Sequence, residues 1–229
     1  AANDLAAAIA ANPHDVGAEY ASKKEADLSP QALKHGETQL QKMLQDRPGL
    51  ARHLKPGGPL WKWAVHQMAG QALGEPIDWD PTPPIDSEAE HVAPADGHRG
   101  RIRVKPYDSG MPNADPDRIF ELLWSHIVYE LHNIGHVPRF EQLREQAARG
   151  RISKHQFVER IFHYEHEAIQ QTRAFYVKVQ LPWAAEKGLK SDADLWFANL
   201  WLDVDAAMDG FTDLQQYPWK PYSRQYDWL

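Results

Sequence analysis

Apolar residues recur at helical spacing most regularly in the middle of the chain. Phe120, Leu123, Trp124, Ile127, Val128, Leu131 and Ile134 fall on one face at about 100° per residue. Asp115 supplies an N-cap, Pro116 suits the first helical position and Gly135 offers a left-handed stop, so the pattern predicts a helix over 116–134. His126, Tyr129, Glu130 and Asn133 form a narrower polar stripe along the margin of the apolar face. A polar stripe bordering a core face places a helix beside a cleft.

The flanking segments predict further elements. Ser29 and Pro30 open a helix to about residue 46, closed by Arg47-Pro48-Gly49, with His35 and Glu37 expected to face solvent. Leu60, Trp63, Ala64, Met68 and Leu73 mark a second helix ending at Gly74, and the proline-rich stretch 75–98 reads as a long irregular connection. Residues 100–107 alternate Ile102 and Val104 with Arg101, Arg103 and Lys105, which predicts a strand on an exposed edge. A short helix is expected over 139–148. Ser153 and Gln156 then form a capping box that opens a long helix to about Gln180, just before Leu181-Pro182.

The apolar face of that long helix runs from Phe157, Val158, Ile161 and Phe162 to Ala168, Ile169 and Phe175, and Glu165 falls inside it. A carboxylate at a core-facing position is costly unless it is paired, metal-bound or opened to a cleft, which makes Glu165 a candidate functional residue. A last helix is expected over 191–210, followed by a tail, 215–229, dense in Tyr and Trp, that packs its rings across the domain in extended form. Residues 1–28 lack an apolar face and read as an N-terminal arm before a single helical domain over 29–229. The fold class is α+β, mainly helical with a small β-sheet.

A chain of 229 residues with 42% hydrophobic content can bury one sizeable core. A net charge of −7 without basic runs argues against nucleic acid or an anionic membrane surface as partner, and no apolar stretch reaches the length of a membrane span, so a soluble protein is expected. The absence of cysteine excludes thiolate chemistry and leaves only His, Asp, Glu or water for any metal. The start at Ala1 without Met, together with the lack of Cys, leans towards export.

The segment YELHN, 129–133, keeps Glu130 in the position of the Glu of an HExxH helix but has Tyr129 and Asn133 in place of the two His. The segment EHEAIQQTRAFYVKVQLP, 165–182, matches ExxA at Glu165 and Ala168 and ends in Leu-Pro. With the charged strand before them, these features, over residues 98–183, resemble a Glu-type zincin with a degenerate metal site. The resemblance implies a zincin-like fold and makes Tyr129, Asn133 and Glu165 the positional equivalents of the zinc ligands. It also makes Glu130 the equivalent of the catalytic base, with Glu167 the substitute for Glu165 if the register shifts. It further implies that the strand at 101–106 borders the cleft, where an extended peptide or protein segment would pair.

Tyr and Asn are poor zinc ligands beside His, and without metal Glu130 has no activated water to deprotonate. No zinc or other cofactor is therefore expected, and the reading is a metallopeptidase homologue without catalysis, serving peptide binding or structure. Three alternatives stand beside it. His126 and Glu130, with His163 and Glu167, form two i,i+4 pairs that could hold a divalent metal ion for an active hydrolase. Glu130 and Glu165 could instead join Tyr129, Asn133 and nearby His in a buried polar network. The last is an aromatic-rich secreted interaction domain unrelated to zincins.

Overall fold

A computed structural model describes residues 28–85, 87–95, 97–106, 115–197 and 220–229. Residues 1–27 of the arm expected over 1–28, most of the helix expected over 191–210 and the start of the aromatic tail lie outside the described residues.

Helix α1, Pro30–Asp46, is capped by the Ser29 side chain and followed by a single turn, α2, Pro48–Ala51. Helix α3, Pro59–Met68, crosses α1 so closely that a Cβ on Gly36 would lie 2.3 Å from the Val65 carbonyl oxygen and 2.8 Å from the Ala69 nitrogen. Both neighbours are backbone and cannot rotate away. Gly36→Ala is accordingly expected to force the two helices apart, lowering stability by roughly 2–3 kcal/mol in urea titration. The sequence places the end of α3 at Gly74, yet the helix stops at Met68. Gly70, at φ 96°, turns the chain there and approaches Glu75 too closely for any side chain.

The proline-rich stretch is not irregular throughout: it holds β1, Asp78–Trp79, and β2, Ala89–Val92. The strand predicted near 101–106 is β3, Arg101–Val104, but it is the central strand, parallel to β1 and antiparallel to β2. Its charge does not mark an edge, because neighbours on both sides neutralise it. Arg103 Nε lies 2.8 Å from Asp80 and its Nη1 2.8 Å from Glu90, while Arg101 lies 3.3 Å from Asp80. Ala89, Ile102 and Val104 are buried on the opposite face of the sheet.

Helix α4, Pro116–Asn133, packs on that apolar face and forms the centre of the core, with Trp124, Ile127 and Val128 fully buried. Asp115 caps it through the Asp117 N–H. Gly135 is not its left-handed stop. The chain passes through a 3-10 turn, Ile134–His136, directly into α5, Val137–Ala148. A Cβ on Gly135 would come within 3.0 Å of the Ala72 Cβ and 3.1 Å of its carbonyl oxygen, so close approach explains this glycine.

The predicted capping box opens α6, Lys154–Phe175. The helix then widens into a π-turn, Tyr176–Gln180, and continues as α7, Leu181–Glu186, so Leu181-Pro182 does not end it. Pro182 lies just after the π-turn, so its missing N–H falls where the bonding pattern of the continuous helix changes. Helix α8, Ala193–Phe197, is tied to α4 through Glu121, whose Oε1 accepts from Ser191 Oγ, the Asp192 N–H at 2.9 Å and Trp196 Nε1 at 2.9 Å.

The end of the aromatic tail is not extended. It forms α9, Lys220–Asp227, whose Tyr222 and Tyr226 cover a second apolar cluster between α5 and α6, while Trp228 is 81% exposed. The architecture is thus α+β and mainly helical with a three-stranded sheet, and no described helix is long and apolar enough to cross a membrane.

Candidate functional site

The polar stripe of α4 meets the carboxylate set in the apolar face of α6. The Tyr129 hydroxyl donates to Glu165 Oε2, and Asn133 Nδ2 donates to the same oxygen at 3.0 Å. From α9 the Tyr222 hydroxyl donates to Glu165 Oε1 at 3.3 Å. Glu130, next to Tyr129, turns towards the sheet, where its Oε2 lies 2.7 Å from His91 Nδ1 on β2. The two carboxylates therefore share one polar cluster.

The electrostatics follow from partial burial and crowding. Burial pushes the Glu165 carboxyl above its ordinary range and the Glu130 charge adds to this, while the Tyr129 hydrogen bond, His91 and Tyr222 oppose it. Burial alone would lower His91. Its hydrogen bond to Glu130 and the charges of Glu130 and Glu165 outweigh that, and its pKa is raised above 6.5. The Tyr129 phenol is held well above its usual value, first by burial and then by the Glu165 and Glu130 charges. Tyr129 is therefore a proton-bearing donor, Glu165 a crowded acceptor, and His91 an imidazole whose charged form is favoured beside Glu130.

Tyr129, Asn133 and Glu165 converge as zinc ligands would, yet their chemistry does not suit zinc. Two donor hydrogens point at one carboxylate oxygen, whereas a metal needs lone pairs directed at a common point. The alternative set is dispersed among other partners. His126 Nδ1 lies 2.8 Å from its own helix at the Leu122 carbonyl, and Glu130 is paired with His91. Glu167 is paired with Arg139, and His163 faces solvent. Among the described residues no group of three or more His, Asp or Glu is placed to hold a metal ion.

Sequence reasoning missed His91 and Tyr222 of this cluster, and also His132 and His136. His91 lies in a strand of four residues inside the proline-rich stretch, with no local signal to reveal it. His132 and His136 had one: His132-Asn133-Ile134-Gly135-His136, which overlaps YELHN and begins three residues after Tyr129, carries the i,i+4 histidine spacing, with Asn133 where a general base would stand. The 3-10 turn separates these rings. Four α-helical steps leave two side chains roughly 40° apart, but one α step and three 3-10 steps leave them about 100° apart. The His132 ring lies 5.4 Å from Trp63, and that of His136 lies parallel to Tyr164 at 6.2 Å. His35, expected in solvent, instead reaches the Ile77 carbonyl at 3.2 Å and Asp78 at 3.0 Å.

Comparison with protein-family models, with curated proteins and with solved structures finds no match.

Proposed function

We propose that this chain is a zincin-like domain without peptidase chemistry that binds an extended peptide along the edge of β2. Both registers of the helix motif support the loss of catalysis. YELHN lacks both imidazoles, and His132–His136 lacks the carboxylate base.

The observation that carries the reading is the edge of β2 beside Glu130. Among the described residues no strand lies on the far side of β2. The Lys105 N–H donates to the Glu88 carbonyl, and antiparallel bonding alternates along the ladder. Glu90 and Val92 therefore pair with β3, leaving the main-chain groups of Ala89 and His91 directed outwards. An extended segment can add there through main-chain hydrogen bonds, with its side chains beside His91 and Glu130.

Two substitutions separate the main chain from the side chain. His91→Ala removes the imidazole but keeps the outward N–H, whereas His91→Pro removes both at an edge position that tolerates proline. Short random peptides displayed on phage are expected to be enriched on the wild-type protein and on His91→Ala. Binding by His91→Pro should be about tenfold weaker than by His91→Ala, the equivalent of one lost hydrogen bond. Equal binding by these two variants would remove strand addition from the proposal.

A further inference from the structure

We propose that α9 is a strap over the Glu165 carboxylate that opens as a unit while α5 and α6 remain folded. The inference concerns access to the cluster described above, and it rests on the peptide-binding reading for its consequence, though not for its test.

Tyr222 and Tyr226 lie one helical turn apart and make parallel attachments. The Tyr222 ring meets Phe162 edge-on at 5.7 Å while its hydroxyl reaches Glu165 Oε1. The Tyr226 ring meets Phe157 at 5.6 Å while its hydroxyl donates to the Ile152 carbonyl at 3.0 Å. Asp227 pairs with Lys154 at 2.7 Å. Ser223, between the two tyrosines, is buried beneath the helix.

The attachment is weak by comparison with what lies under it. A helix of eight residues does not hold itself in water, and an exposed ion pair adds little. Phe157, Val158 and Phe162 are fully buried in a cluster that also contains Phe140 and Leu143 of α5. α5 and α6 also share that cluster with each other, so detaching α9 uncovers Phe157 and Phe162 on one side and leaves their contacts with α5 in place. Detachment takes the Tyr222 hydroxyl off Glu165 Oε1, the oxygen that Tyr129 and Asn133 do not bond. The β2 edge thus meets the cluster at Glu130 and the strap meets it at Glu165.

Tyr226→Phe tests this on the full chain, because it keeps the ring on Phe157, removes the hydroxyl bond to Ile152 and alters no hydrogen bond of the Glu130–Glu165 polar cluster. In wild type, α9 amides are expected to exchange hydrogen at least ~100-fold faster than those of α6 around 157–169. In Tyr226→Phe, α9 exchange and modification of Glu165 by a carbodiimide with glycine ethyl ester should both rise about fivefold, with exposed Glu141 unchanged. Exchange of α9 only at the rate of α6 would overturn the strap, as would a Glu165 modification rate that stays at the wild-type value. Neither readout involves a peptide, so failure here leaves the β2 edge standing, and failure of peptide binding leaves the strap standing.

Discussion

Changing Tyr129 and Asn133 together to histidine is expected to create a zinc site where the wild-type protein has a hydrogen-bonded carboxylate. Both side chains already reach Glu165 Oε2 from successive turns of α4, so the backbone positions of a three-ligand site are in place. Two imidazoles would substitute lone pairs for two donor hydrogens, Glu165 would supply the third ligand, and the fourth position would fall to water. Glu130 stands next to the first of them.

Isothermal titration should give one zinc per chain with a Kd of about 1 μM or tighter for the double variant, at least ~1000-fold below that of wild type. Stoichiometric zinc on the wild-type chain would overturn the degenerate-site reading. Its loss on His132→Ala would then move the site to His132 and His136. A folded double variant that fails to bind would leave the polar network as the account of why Tyr129, Asn133 and Glu165 meet.

The meeting of α4 and α6 was legible because each helix announces itself locally and each carries a polar group that its apolar face cannot hide. Asp115-Pro116 and the Ser153–Gln156 box fix where the helices begin, and Glu165 at a core-facing position demands a partner. The sheet was less legible. Two arginines alternating with apolar residues suggest water on one side, and only tertiary structure brings Asp80 and Glu90 to neutralise them. β2 has four residues and exists because β3 pairs with it, so His91 could not be placed beside Glu130 from its own neighbours in sequence. The 3-10 turn at Ile134–His136 was hidden for a similar reason, since the approach of Ala72 to Gly135 there is a tertiary contact.

Acid is expected to destabilise the protein through His132, with the depressed carboxyls of Asp80, Asp117 and Glu167 acting in the same sense. Burial first, and then the neighbouring His136, push this imidazole from 6.5 down to about 3. Between those two values the folded protein keeps His132 neutral while the unfolded chain takes up a proton. Stability is therefore fully present above pH 6.5 and declines as pH falls towards 3. From about pH 7 to about pH 4 the loss amounts to roughly 3 kcal/mol. The raised groups act in the opposite sense: Glu165, Glu121 and His91 bind protons more readily folded than unfolded and gain stability on acidification. The wild-type curve is thus a sum of opposing contributions, and a comparison isolates the His132 part. His132→Gln retains a donor and an acceptor in the same place but does not titrate. In urea titrations at the two pH values, wild type should lose about 3 kcal/mol more than the variant. Equal losses would mean that His132 is either solvated or already charged in the folded protein, and the core around Trp63 would have to be redrawn.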